Sequence, residues 1–235
     1  MSGQNGWEAS AAAWMAEQGE AGDFAREFIL DRVMLARLRL RPHRDALDVG
    51  CGEGRFARVM AAEGLRVTGL EPVAALRARA QALDPGGCYI DGRAEALPLP
   101  DARFDLVVSY LTLIDIDGLE EAVAEMARVL RPGGRLLIAN LNPMVTAGHW
   151  HKDAEGRRLH FAVDRYLEAR ADWVEWAGIR VRNWHRPMQD YMAALLGQGL
   201  QLLHFEEPAP HGGDPARGER LRRIPWFHVM EWARP

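Results

Sequence analysis

The chain has 235 residues, 48% apolar, 26% charged and 8% aromatic, and a chain of that size can bury about 70–75% of its unfolded surface in a packed core, which excludes disorder, collagen and a disulfide-dense scaffold. Twenty-nine basic against 33 acidic side chains, a formal charge of −4, point away from nucleic acid as a partner. Two cysteines suggest no oxidised framework, no apolar run reaches a membrane span, and residues 1–20 carry glutamates where a signal peptide would be basic and then apolar; a cytoplasmic protein without a membrane partner is expected.

Residues 5–40 read as one or two helices. Ile29, Val33, Ala36 and Leu40 share a helical face, Gly22-Asp23 offers a turn and N-cap, and Arg41-Pro42 ends the run. From Asp45 the period changes. Strands are predicted at 46–49, 65–70, 88–90, 104–109 and 135–140, separated by helices at 55–63, 73–83 and 119–130 and by a turn at Pro132-Gly133-Gly134. Residues 142–186 drop the alternation and hold His149, His151 and His160 among five aromatics, so they read as a lid-like insert on the substrate side. A helix at 187–196 and strands at 200–205 and 227–232 follow; with no helical pattern between them the two strands should pair antiparallel, and 208–223, rich in Pro, Gly and Arg, reads as loop.

The expected architecture is a single α/β domain over 1–235, built on a doubly wound, Rossmann-like sheet of seven mostly parallel strands with an antiparallel C-terminal strand. A helical cap (1–41), a ligand-binding core (45–141), the insert (142–186) and a C-terminal helix with antiparallel strands (187–235) make up its parts.

The strongest local signal is Asp48-Val49-Gly50-Cys51-Gly52-Glu53-Gly54, where the first strand turns into the first core helix. Glycines there let a ligand approach the backbone and permit positive φ, and ligands of open α/β sheets sit beyond the carboxyl ends of the strands. A dinucleotide fingerprint would need glycine three positions after Gly52, where Arg55 stands, and the acidic pair Asp48 and Glu53 suits a ligand carrying positive charge. Glu71 closes the second strand, the usual place for a carboxylate that accepts both ribose hydroxyls of an adenosine. Arg217, Arg220, Arg222 and Arg223 form a basic run that reads as a solvated face, and the three insert histidines lack the ligand spacing of a metal site.

The segment from Ala46 to Asn140 resembles the class I S-adenosylmethionine-dependent methyltransferases. Leu47 to Gly54 matches their first motif, Gly69-Leu70-Glu71-Pro72 their second, and Ala94-Glu95-Ala96-Leu97-Pro98 with Phe104-Asp105 the approach to strand four. Arg128 to Leu136, with Pro132-Gly133-Gly134, resembles their turn before strand five, and His185-Arg186-Pro187 with Tyr191 resembles a bacterial small-molecule subgroup.

The resemblance implies S-adenosylmethionine as methyl donor, S-adenosylhomocysteine as product and a small-molecule acceptor with an oxygen or nitrogen nucleophile. Asp48, Gly50, Cys51, Gly52 and Gly54 would cradle the cofactor, Glu71 would hold its ribose and Pro72 its adenine, with Ser109 and Tyr110 at the end of strand four. Family members commonly carry Gly-Asp-Ala where this chain has Gly92-Arg93-Ala94; arginine cannot accept from the adenine amino group, so adenine recognition is expected to fall to the Ala94 backbone, to Arg93 stacking, or to Glu95 or Asp91 from a shifted loop. Trp14 and Arg26 are expected to close over the cofactor. His185 and Tyr110 are the candidate catalytic side chains, and His149, His151 and Tyr191 are expected to face the acceptor. The sequence leaves the oligomeric state and the methylated atom open.

Overall fold

A computed structural model describes residues 5–19 and 22–235, and its backbone changes period where the sequence does. The chain opens with α1 (Trp7–Gln18). The Asp23 carboxylate then accepts the Arg26 N–H at 2.9 Å and starts a π-helical turn, Arg26–Leu30, that runs into α2 (Asp31–Leu38). The buried stripe is Ile29, Leu30, Val33, Met34 and Leu38; Leu40, expected on this face, is 64% exposed because the helix has already ended.

The core follows as β1 (Asp45–Val49), α3 (Arg55–Ala62), β2 (Arg66–Leu70), α4 (Ala74–Leu83), β3 (Cys88–Ile90), β4 (Phe104–Tyr110), α5 (Leu119–Val129) and β5 (Leu130–Leu141). Inside β5 the pairing with β4 jumps from Phe104–Leu130 to Leu106–Arg135, so Pro132-Gly133-Gly134 loops out of the ladder. Then come α6 (Pro143–Thr146), β6 (Gly148–Lys152), β7 (Arg158–Val163), β8 (Arg170–Trp176), β9 (Ile179–His185), α7 (Met188–Gly197), β10 (Gln201–Glu206), α8 (Pro215–Arg222) and β11 (Phe227–Ala233).

Seven strands form one sheet in the order β10-β11-β5-β4-β1-β2-β3, with β11 antiparallel to both neighbours and β1 to β5 parallel. Both faces are covered, which is why the strands read as continuous apolar runs. The period of two sends Val107, Leu136, Ile138 and Met230 into one core, which includes residues of α5 and α7, and Leu106, Leu137, Ala139 and Val229 into the other, which includes residues of α2 and α3. Helix α1 packs separately on α4, through Ala11, Val73 and Leu76.

Two segments depart from the sequence expectation. The insert is two antiparallel hairpins, β6–β7 and β8–β9, outside the main sheet. Ala177 and Gly178 both have positive φ and make the two-residue turn of the second hairpin, whose β9 buries Ile179 and Val181 while β8 stays largely at the surface. Residues 215–222, expected as loop, form α8, because Asp214 accepts the Arg217 N–H at 2.7 Å and Pro215 suits the first helical position. No described helix is long and apolar enough to cross a membrane.

Candidate active site

Where β1 ends, the chain hangs from β2. Gly50 N–H and Cys51 N–H both donate to the Leu70 carbonyl, at 2.8 and 3.0 Å, and the Gly52 N–H donates to Glu71 Oε2 at 2.9 Å. The other Glu71 oxygen accepts the Val73 N–H at 2.9 Å, so one carboxylate ties the glycine turn to the start of α4. Gly50 and Gly52 sit at φ 70° and 57°, in the left-handed region that disfavours side chains. A Cβ on Gly52 would lie 2.9 Å from the Trp14 ring, so this turn is roofed by α1.

A cavity opens beyond the carboxyl ends of β1, β2 and β4, and Asp48, Glu71 and Asp115 line it. Burial pushes all three carboxyls up to about 7; Glu71 adds to the cost at Asp48 and Asp115, while bonds from Trp7 and Asn183 pull Asp115 back down. Asp48 Oδ2 is buried without a hydrogen-bond partner. Unpaired buried acids are costly, and a cationic ligand would relieve that cost.

The roof and rim come from the N-terminal segment. Trp7 and Trp14 meet edge to face at 6.0 Å, and the Arg26 guanidinium lies 5.8 Å from the Trp14 ring and 5.6 Å from the Tyr110 ring while pairing with Asp23 at 2.8 Å. The Tyr110 hydroxyl is engaged elsewhere, donating to Asp31 Oδ1 at 2.8 Å, and burial holds it well above the usual phenol range. At the far wall Arg93 pairs with Glu95 at 2.8 Å, beside the buried Ala94. Opposite, Asp115 accepts from the Asn183 amide at 2.6 Å, joining the loop after β4 to β9.

The segment 47–138 matches the family profile described as a methyltransferase domain. A malonyl-[acyl-carrier protein] O-methyltransferase of Enterobacter lignolyticus is 40% identical over 108 residues, 46% of this chain and 43% of that protein; the chain thus spans less than half of that relative. A solved S-adenosylmethionine-dependent methyltransferase from Mesorhizobium loti superposes with a TM-score of 0.76 at 29% identity, covering 86% of this chain and 96% of that one. A Mycolicibacterium smegmatis protein named for the same activity is 32% identical over 186 residues, 78% of this chain and 67% of its own length. The chain belongs to the S-adenosylmethionine-dependent methyltransferases.

Of the residues expected to meet this family's cofactor, Trp14, Arg26, Asp48, Gly50, Cys51, Gly52, Glu71, Pro72, Arg93, Ala94, Glu95 and Tyr110 all line the cavity. Two do not. A Cβ on Gly54 would strike the Tyr89 ring at 2.8 Å, so this glycine serves packing under the turn, and Ser109 is fully buried within β4 and does not line the cavity. The sequence reading missed Trp7, Thr112 and Asp115, which line the cavity.

The candidate base His185 is corrected by its surroundings. Its Nε2 donates to the Tyr166 carbonyl at 2.8 Å, which leaves Nδ1 to accept from the Thr146 hydroxyl at 2.6 Å. The ring is 1% exposed, does not line the cavity, and is held below the usual imidazole range by burial. It fastens the insert to α6. His185→Gln is therefore expected to lower unfolding free energy by about 1–3 kcal/mol with cofactor affinity unchanged, as read by urea denaturation and calorimetry; a loss of affinity with unchanged stability would return the ring to the site. His149 and His151 lie on β6 with their rings tilted 4.9 Å apart, His151 stacks on His160 at 4.8 Å, and Tyr191 is buried against His228; none of the three expected acceptor contacts lines this cavity. Arg186, beside His185, donates to the carbonyls of Leu113, Ile116 and Asp117 at 3.2, 2.7 and 2.8 Å and fixes the loop that carries Asp115.

Proposed function

We propose that this chain transfers a methyl group from S-adenosylmethionine to an oxygen nucleophile of a small acceptor, free or carried on a protein. The observation that carries the reading is the pair of buried carboxylates, Asp48 with an unpartnered oxygen and Glu71, beside a turn whose glycines leave room under Trp14. The residues suit a cationic, adenosine-bearing ligand. Backbone at Gly50 to Gly52 would pass beneath its methionine part, Asp48 would face its positive charge, Glu71 would accept its ribose hydroxyls, and Arg93 with Glu95 would flank adenine. The donor supplies a methyl already activated for in-line displacement. What the chain adds is positioning, on the order of 7–11 kcal/mol in well-oriented cases, with Trp7, Trp14 and Arg26 excluding water.

Oxygen is favoured by the relative named as an O-methyltransferase. An acceptor hydroxyl must lose a proton, and Asp115, facing the cavity from the β4 side and raised to about 7, is placed to take it. A carboxyl acceptor is already ionised and has no such need. Asp115→Asn is expected to slow a hydroxyl acceptor by about 10²–10⁴-fold and to spare a carboxyl acceptor. Equal losses on both would remove Asp115 as a base. The test of the function itself is release of S-adenosylhomocysteine against a panel of hydroxyl, carboxyl and amine acceptors, with alkali lability separating methyl esters from ethers; transfer to amines alone would overturn the oxygen assignment.

The raised acids also predict a pH dependence. Their ordinary values are 3.8 for Asp48 and 4.5 for Glu71, and both stand near 7 in the fold. Their contribution to stability is full below the ordinary values and is lost as pH rises through about 7. A cationic ligand favours the ionised forms, so S-adenosylmethionine affinity should rise between about pH 6 and 8 with proton release on binding. Calorimetry in buffers of different ionisation enthalpy reads this directly; proton uptake would contradict it.

A further inference from the structure

Away from the cavity, α8 and the β6–β7 hairpin enclose a concavity of about 540 Å³ lined by Arg158, Arg217, Arg220 and Arg223. Asp214 and Glu219 are the acidic side chains on the same wall, which leaves a formal surplus of two positive charges, four against two. Asp214 is already engaged in capping α8 through the Arg217 N–H. None of the four arginines forms an ion pair among the described residues.

Two of the four are fixed without neutralisation. Arg223 donates to the Arg158 and Leu159 carbonyls at 3.1 and 2.6 Å and lies 4.5 Å over the Trp150 ring, and Arg217 lies 4.5 Å over Phe24. Arg220 is partly buried, and burial together with Arg158 and Arg217 holds it below the usual arginine range. The fold therefore keeps like charges together at a cost that Asp214, the acid acting on Arg220, offsets only in part. Guanidinium forks match the oxygens of a phosphate, two bonds at a time, and a phosphate monoester carries about −1.5 to −2 at neutral pH, close to the local surplus.

The geometry points to a second ligand site, in which Arg158, Arg217, Arg220 and Arg223 hold a phosphate-type oxyanion between α8 and the β6–β7 hairpin. It abuts the lid: Phe24, beneath Arg217, lies two residues before Arg26, which lines the cofactor cavity. A ligand anchored by its phosphate would thus sit next to the segment that roofs the active site. The site stands independently of the methyl-transfer reading.

Inorganic pyrophosphate is the probe, titrated by calorimetry into the wild-type chain and into an Arg158→Gln, Arg220→Gln double variant, with S-adenosylhomocysteine affinity measured on the same samples. Saturable pyrophosphate binding by the wild type, weakened roughly tenfold or more in the double variant with S-adenosylhomocysteine affinity unchanged, is the expected result. At low ionic strength the double variant should also melt no lower than wild type, because it loses repulsion rather than a prop. Absence of saturable binding by the wild type, equal binding by the double variant, or a clear drop in its melting temperature would overturn the site. Tighter binding of a short DNA duplex than of pyrophosphate, with a steep salt dependence, would overturn it in favour of a backbone-reading surface.

Discussion

Gly52→Val is expected to lower S-adenosylhomocysteine affinity by more than a hundredfold, about 2.7 kcal/mol or more, while the chain still folds. Gly52 holds φ at 57°, where a side chain costs about 1–2 kcal/mol and a β-branched one more. That strain falls on stability. The binding loss has another origin: a Cβ there already stands 2.9 Å from the Trp14 ring, and two further methyls must enter the space between the turn and its roof. Either Trp14 is displaced and the lid opens, or the turn shifts and its N–H leaves Glu71. Calorimetry beside urea denaturation separates the two costs, and wild-type affinity in a folded variant would dismiss the turn as the cofactor's cradle.

Glu71→Ala should weaken cofactor binding by about 1.5–3 kcal/mol and also destabilise the protein by about 2–4 kcal/mol. The carboxylate accepts the Gly52 and Val73 N–H groups at 2.9 Å each, so its removal leaves two buried donors without partners as well as losing the ribose contact. Glu71→Gln keeps one acceptor oxygen and should fall between. An analogue lacking both ribose hydroxyls is the control, since it should bind wild type and Glu71→Ala alike. If that analogue bound wild type as tightly as the parent compound, Glu71 would be a structural clamp alone.

The parallel core was legible because its chemistry is local: apolar runs mark strands covered on both faces, and Gly50 and Gly52 mark a turn that only positive φ can make. Helix α8 was hidden by composition, although Asp214-Pro215 is a start signal that outweighed its glycine and arginines. The site's acceptor side was not legible for a different reason. Asp115 and Asn183 are 68 residues apart in sequence, and no local pattern brings them together. For His185, the neighbouring Pro187 constrains the chain's direction but not which carbonyl the ring finds.

Placing β11 between β5 and β10 has a consequence for the order of assembly. Strand β10 precedes β11 in the chain, yet among the described strands β11 is its sole neighbour in the sheet. It reaches the rest of the sheet through Phe227–Ala233, which lies antiparallel on β5. The five parallel strands can form first from short crossovers, but their β5 edge stays open, a row of unpaired amides exposed to any passing strand. Closing that edge takes a long-range pairing, in which the C-terminal strand reaches β5 across the whole insert, the kind of contact whose loop entropy must be met before it is repaid.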